Sequence, residues 1–374
     1  MNVLFVGPYR QQDGWGLASQ SYIRAIASQT ANITTRPVFL AGGDNSSIDS
    51  DLLSYENSSY DSYDIVIQKT LPHCLFYDRR FKKNIGLFVL ETNNIANSTS
   101  ISTINRMDEI WIPSNQEKKC LIKSGVTKPI KVISQPLDTN FITKYKEHKL
   151  DFNHIINKSF KFYFVGEYVE RKNIRDLVTA FHLAFDISQP VALVLKTNIS
   201  GMSSNESYKT IEKDIEDIKK KLNVSNRYKK EILVTEKLSY QDLIGLHNSC
   251  DCFVMPSYGE AFCRPAAEAL CLGKTPIVTD NTGMIDFINN ENGFIVQSSK
   301  VPVIINKRTL SEDFDIYNAQ EYWYRVQMYD LIDKLRSAYS LYKDNRKAFE
   351  AKKDIGISQI EQFSYNSIGQ KLCI

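Results

Sequence analysis

Short β-branched and aromatic runs alternate with amphipathic, helix-period segments along this chain, in two series separated by a polar stretch. Strand, helix and strand in succession fold as parallel sheets covered by helices. In the first series strands are expected at 3–7, 36–40, 65–68, 85–90, 109–113 and 130–133. Helices fall between them. The segment 17–29 places Ile23, Ile26 and Ala27 on one stripe, and 114–124 opens on Ser114, which can cap its own first turn. The charged stretch 144–158 reads as a linker, after which strands are expected at 160–166, 192–196, 231–235, 252–255, 276–279 and 294–296, with helices at 176–185, 207–222, 240–248 and 265–271. From Ser311 onward the composition is helical, ending in FSYNSIGQKLCI. The fold expected is α/β, two doubly wound Rossmann-like domains covering residues 1–150 and 151–357, the first completed by about 358–374. Ligands of such sheets lie outside the carboxyl ends of the strands, so function is sought in the loops beyond those ends.

The 46 basic and 43 acidic residues nearly cancel, so no field of one sign makes nucleic acid an obligatory partner; it stays open only as an acceptor. Two basic clusters, Arg79, Arg80, Lys82 and Lys83, and Lys118, Lys119, Lys123, Lys128 and Lys131, are suited to peripheral contact with an anionic membrane, and equally to a solvated face. Seven irregularly spaced cysteines without a CxxC pair make neither a disulfide framework nor a zinc site. With a strand-like run directly after Met1 and no apolar stretch near the ~20 residues of a spanning helix, the expected location is cytoplasmic, at most peripheral to the inner membrane face.

Three loops carry chemistry. After the first strand come Gly14, Trp15 and Gly16, where glycines admit a ligand close to the backbone and a helix start offers N–H groups to an anion. A Gly-rich loop of purely structural purpose has the same look. The second domain opens with FVGEYVERKNIRDL, which puts Arg171 and Lys172 at the end of a strand, placed to neutralise a diphosphate or to form a solvated basic turn. Most informative is MPSYGEAFCRPAAEALCLGKTPIV, a strand, a turn, Glu260, and a helix with Pro265 in its first turn and Gly273 as its stop. Glu260 before the helix and Glu268 one turn inside it can reach one ligand from adjacent levels, with the N–H groups around Phe262 and Cys263 between them. Carboxylates that accept from sugar hydroxyls beside amides that donate to phosphate suit a nucleotide-sugar.

In this order, the glycine loop, the Arg-Lys loop and the Glu-x7-Glu segment resemble the retaining glycosyltransferases of family 4, and Thr282-Gly283 with ENGFIV resembles the stretch immediately downstream of that family's signature. The likeness covers 162–296; the first domain matches in outline, through its opening loop and DEIWIPS. It implies a GT-B fold facing a cleft, its last helix returning to the first domain, and transfer of a hexose-type sugar from a UDP- or GDP-sugar to a glycan, lipid-linked or other acceptor. By the same resemblance Glu260 holds the transferred sugar, Glu268 the ribose, and Arg171 or Lys172 the phosphates. The base lies near Leu238 and Tyr240 with Lys196 and Thr197 beneath, and no metal or other cofactor is required. Glu167 stands where the family often has Arg, and LVLKTN where many relatives have a glycine pair. For the acceptor side Glu91 is the first candidate and His73 the second. The DxD triplets at Asp49 and Asp313 come after no buried strand and are not read as metal sites. A nucleotide-sugar epimerase or a non-catalytic sugar-binding protein of the same fold are the rival readings.

Overall fold

The structure, a computed structural model, describes residues 1–30, 32–40, 48–96, 98–152, 158–222, 229, 231–303, 317 and 320–372. The chain divides into two compact units; among the described residues the first holds 1–139, 317, 320–322 and 361–372, the second 140–303 and 323–360.

The first unit is built on six parallel strands, β1 (Val3–Gly7), β2 (Ile33–Pro37), β3 (Ile65–Lys69), β4 (Lys83–Leu87), β5 (Glu109–Ile112) and β6 (Ile130–Val132), in the order β2-β1-β3-β4-β5-β6. From β1 the chain steps to one flank and then to the other, so its order reverses between β1 and β3. The second unit repeats the plan with β7 (Phe160–Val165), β8 (Val191–Lys196), β9 (Ile232–Val234), β10 (Cys252–Met255), β11 (Ile277–Thr279) and β12 (Phe294–Val296), all parallel in the order β12-β11-β10-β7-β8-β9, reversing between β7 and β10. Sheets covered on both faces need strands apolar on both faces, and FKFYFV of β7 is buried at every position.

Helix Tyr365–Leu372 packs on helix Gly14–Ala27 of the first unit. A side chain at Gly369 would come within 2.5 Å of the Ala25 carbonyl, so only glycine permits that approach. Ser114 caps helix Asn115–Lys123 in a reciprocal box with Glu117, whose other oxygen accepts from the Leu90 amide at 2.6 Å and so fixes the loop that carries Glu91.

Several boundaries differ from expectation. Strand β2 runs Ile33–Pro37 rather than 36–40, because pairing Val3 with Ile33 buries Ile33 and Pro37 has no N–H with which to continue. Strand β4 ends at Leu87, not 90. The Asp49 triplet straddles a helix start: Asp49 is the N-cap of helix Ser50–Asn57, and Asp49 and Asp51 both pair with Arg24, at 2.5 and 2.8 Å. Asp313 lies outside the described residues. Residues 145–150, expected in the linker of the first domain, are bonded into the second unit, where Asn248 donates to the carbonyls of Tyr145 and His148. In the tail, Tyr322–Val326 is a strand paired with Ser298–Pro302, not a helix. β-Branched and aromatic residues there outweigh the helical composition around them.

Candidate active site

At the reversal point of the second sheet, neighbouring strands β7 and β10 send out loops at their carboxyl ends, and the backbone ties those loops together. The loop after β7 turns at Glu170–Lys172 and closes on Asn173, held in the left-handed region (φ 56°) while its side chain donates to the Pro256 carbonyl at 3.0 Å. From the β10 loop, the Tyr258 amide donates to the Arg171 carbonyl at 2.7 Å and the Tyr258 carbonyl accepts from the Tyr324 amide at 2.9 Å. The Gly283 amide, after β11, donates to the Glu260 carbonyl at 2.8 Å. Three loops therefore fix one residue.

The carboxylate so placed is only 7% exposed, and a single oxygen, Oε1 of Glu260, receives Arg171 Nη1 at 2.8 Å and Lys172 Nζ at 2.7 Å. Arg171 also donates to the Gly259 carbonyl at 2.6 Å. Burial pushes the Glu260 carboxyl up, and the charges of Lys172 and Arg171 outweigh that and hold it below the usual range. Two cations therefore share one carboxylate oxygen.

Helix Arg264–Cys271 comes next, opening on Cys263 in the left-handed region (φ 69°), with Pro265 in its first turn and Gly273 (φ 65°) beyond its end. Glu268 sits inside it at 1% exposure. Its Oε1 accepts from Arg264 Nε at 2.8 Å and from the Tyr240 hydroxyl at 2.9 Å, and its Oε2 lies 3.7 Å from His247 Nε2. The Tyr240 ring stacks on Phe141 at 4.9 Å, with the Arg264 guanidinium 5.5 Å above it. Behind them, the fully buried Tyr163 hydroxyl meets His247 Nδ1 at 2.7 Å, and burial drives His247 down to about 3, so the imidazole is neutral. The two glutamates thus stand in separate hydrogen-bonded sets, not side by side on open space.

The remaining candidates are scattered over both units. Lys196 closes β8, its ammonium lowered by burial, beside the buried Thr197; Leu238 is half-buried in the loop ahead of Tyr240. Phe262 packs its ring on Phe287 at 5.1 Å, and burial pushes the Cys263 thiol up to about 12, which leaves it un-ionised. Gly14 and Gly16 lie in the first unit, inside the helix rather than before it. The Gly16 amide is already taken by the Asp13 side chain at 2.8 Å, and a Cβ there would fall 1.8 Å from the Gln11 carbonyl, so that glycine answers to packing. Glu91 is four residues beyond β4 and accepts from the Tyr317 hydroxyl at 2.6 Å; His73 is exposed in the turn Pro72–Cys74. Of the basic clusters, Arg80 pairs with Asp78, Lys82 with Asp64, and both Lys83 and Lys131 with Glu109. Among the described residues no helix is long and apolar enough to cross a membrane, and no cluster of three His, Cys, Asp or Glu side chains is arranged for a metal. A shallow depression is lined by Tyr168, Val169, Glu170, Asn173, Ile174 and Arg175, without Arg171, Lys172 or Glu260 in its wall.

Arg264, Tyr163 and His247 were not singled out by the sequence. Arg264 was open to it, four residues before Glu268 on one helix face. Tyr163 and His247, 84 residues apart, meet only through the sheet.

Residues 146–308 match the family model described as glycosyl transferases group 1. The capsular polysaccharide biosynthesis glycosyltransferase CapM of Staphylococcus aureus is 27% identical over 243 residues, covering 62% of this chain and 58% of that protein. Among solved structures, Anabaena Alr3699/HepE in complex with UDP is similar at a TM-score of 0.66 and 14% identity, over 100% of this chain and 98% of its own. The E. coli trehalose-6-phosphate protein bound with UDP-2-fluoro glucose is similar at 0.69 and 9% identity, over 100% and 98%. These likenesses are of fold: the chain has the two-domain GT-B architecture.

Proposed function

We propose that this chain is a retaining, metal-independent glycosyltransferase that moves a hexose-type sugar from a UDP- or GDP-sugar to a saccharide acceptor, free or lipid-linked. The observation that carries this reading is the sharing of one Glu260 oxygen by Arg171 and Lys172 at the reversal point of the second sheet. The match to residues 146–308 spans the whole of that cluster and supports the general activity.

In this reading a diphosphate draws Arg171 and Lys172 onto its oxygens, and the freed Glu260 accepts from hydroxyls of the sugar. Glu268 turns from Tyr240 and Arg264 toward the ribose. The glycosidic bond to phosphate breaks as the acceptor oxygen approaches on the same face, and the departing phosphate oxygen takes the acceptor proton. Such a path needs stabilised charge more than a protein nucleophile, and two pre-positioned cations supply it. Glu91 positions the acceptor.

Incubation with a panel of UDP- and GDP-sugars tests the proposal. Slow release of free nucleotide from one donor, faster with acceptor, supports transfer. Epimerised donor would instead identify an isomerase, and an unchanged panel a binding protein.

A further inference from the structure

We propose that the paired strands Ser298–Pro302 (β13) and Tyr322–Val326 (β14) form a strut that aims the cluster of Arg171, Lys172 and Glu260, with Trp323 and Arg325 as its positioning residues. That the aim serves catalysis rests on the nucleotide-sugar reading above. The two strands add nothing to the six-stranded sheet of the second unit; they are a two-stranded sheet of their own, and β14 lies beyond residues 146–308, which the family model matches.

Alternate residues of a strand share a face, so Trp323 and Arg325 point together while Tyr324 between them lends its backbone. The Tyr324 amide donates to the Tyr258 carbonyl at 2.9 Å, and the Tyr258 amide donates in turn to the Arg171 carbonyl at 2.7 Å, a relay from β14 to the cationic turn through one residue. Trp323, fully buried, sets its ring 5.6 Å from that of Tyr258 at 34° and so holds the same residue from the side. Arg325 reaches the other loop: its Nε and Nη2 donate to the two oxygens of Asp176, each at 3.0 Å. Asp176 is 7% exposed and lies in the first turn of helix Ile174–Ala184, which starts at the residue after Asn173. One strand thus grips the β10 loop just before Glu260 and the β7 loop just after Lys172.

Those loops need holding. Asn173 keeps its left-handed backbone only while its surroundings over-determine it, and both cations must meet one carboxylate oxygen. The Arg325 side chain is 53% exposed, so its ion pair adds little to stability, but a two-pronged guanidinium–carboxylate contact fixes direction. Groups that meet developing charge lose on the order of 10²-fold in rate when displaced by about 1 Å.

Hydrogen exchange of the full chain without ligand tests the strut. In Arg325→Gln and in Trp323→Leu the amides of Asn173 and Tyr258, which donate to the Glu170 and Arg171 carbonyls, should exchange roughly tenfold faster, while β7 and helix Met328–Asp344 exchange as in wild type. With the donor found in the nucleotide-sugar panel, kcat should fall about tenfold or more and KM stay within about twofold, because the misaimed cations act on the transition state. Arg325→Lys, a charge without the fork, should recover only part of kcat. Combined with Glu260→Gln, Trp323→Leu should lower kcat less than about twofold further, since the strut works through that cluster. Wild-type exchange at Asn173 and Tyr258 in both variants, or faster exchange with unchanged kcat, overturns the proposal. Should Trp323→Leu misfold, the half-exposed Arg325 decides alone. If wild type turns over no donor, the nucleotide-sugar reading fails, and the exchange rates still judge the strut.

Discussion

The two sheets reverse strand order once each, and the two reversal points are charged in opposite fashion. In the second unit two cations arrive with a carboxylate already between them, so Arg171, Lys172 and Glu260 satisfy one another without ligand. In the first unit one ammonium is buried against a carbonyl and an indole ring. The same topology therefore supports one cluster whose charges are paired internally and one ammonium, that of Lys69, buried with little compensation. The first is costly to dismantle, and the second is costly to keep charged.

Removing the carboxylate gives the largest effect. In Glu260→Ala two half-enclosed cations lose their shared partner, and stability should fall by about 3–5 kcal/mol, read as a lower midpoint of thermal or urea unfolding. Glu260→Gln keeps the shape and two acceptor lone pairs, and turnover of a cognate donor should drop roughly 10²–10³-fold, the scale seen when one preorganised electrostatic group is lost. Unchanged turnover would remove Glu260 from the mechanism and leave the cluster a structural clamp. Next in size is Gly16→Ala in the first unit, where the added methyl meets the Gln11 carbonyl. A loss of about 3 kcal/mol is expected by denaturant titration, at the upper end for single substitutions, and a neutral result would show that the loop yields.

This contrast also decides what the sequence could reveal. Glu260, Arg171 and Lys172 were legible because each comes after a strand at the start of a helix or turn, a local pattern that needs no knowledge of strand order. Their mutual pairing was not, since it depends on β10 lying beside β7, 88 positions apart for Lys172 and Glu260. Lys69 was invisible for a related reason: at the end of the run Ile65–Lys69 a lysine reads as the polar stop of a strand, and its burial against Trp15 of the helix Gly14–Ala27 is a tertiary contact. The glycine loop misled in detail, because Asp13 caps the helix earlier than the apolar stripe suggests. The helix beginning at Ser50 went unseen beneath a Ser- and Asn-rich composition, and the pairing of Asp49 and Asp51 with Arg24 spans two elements that lie far apart in the chain.

A buried, uncompensated lysine has a stability signature whose sign can be worked out. Its folded affinity for a proton, near pH 7, is below the unfolded value of 10.5, so between those limits the unfolded chain binds more protons and stability rises with pH. Below pH 7 both forms are charged and the burial penalty is present in full. Lys69→Met should therefore melt higher than wild type, by several degrees at pH 6, with the gap closing as the pH approaches 10. A gap independent of pH would mean that Lys69 is compensated in solution, and the contrast between the two reversal points would then fail.

The smallest effect is expected behind Glu268, and it bears on how that residue is aimed. Burial pushes the Tyr163 phenol well above its ordinary value, so it keeps its proton and is able to donate to His247 Nδ1; in that tautomer the neutral imidazole carries its proton on Nε2, facing Glu268 Oε2 across 3.7 Å. Tyr163→Phe removes the one contact that selects this tautomer and should cost about 1 kcal/mol of stability, the ordinary value of a single hydrogen bond. If Glu268 takes the ribose as proposed, its direct contact with the hydroxyls is untouched by this change and its hold should weaken only slightly. KM for the nucleotide-sugar should rise a few-fold with kcat unchanged, measured by steady-state release of nucleotide. Were kcat to fall as steeply as in Glu260→Gln, the two carboxylates would be acting as one unit, and their separate hydrogen-bonded sets would belong to the ligand-free chain alone.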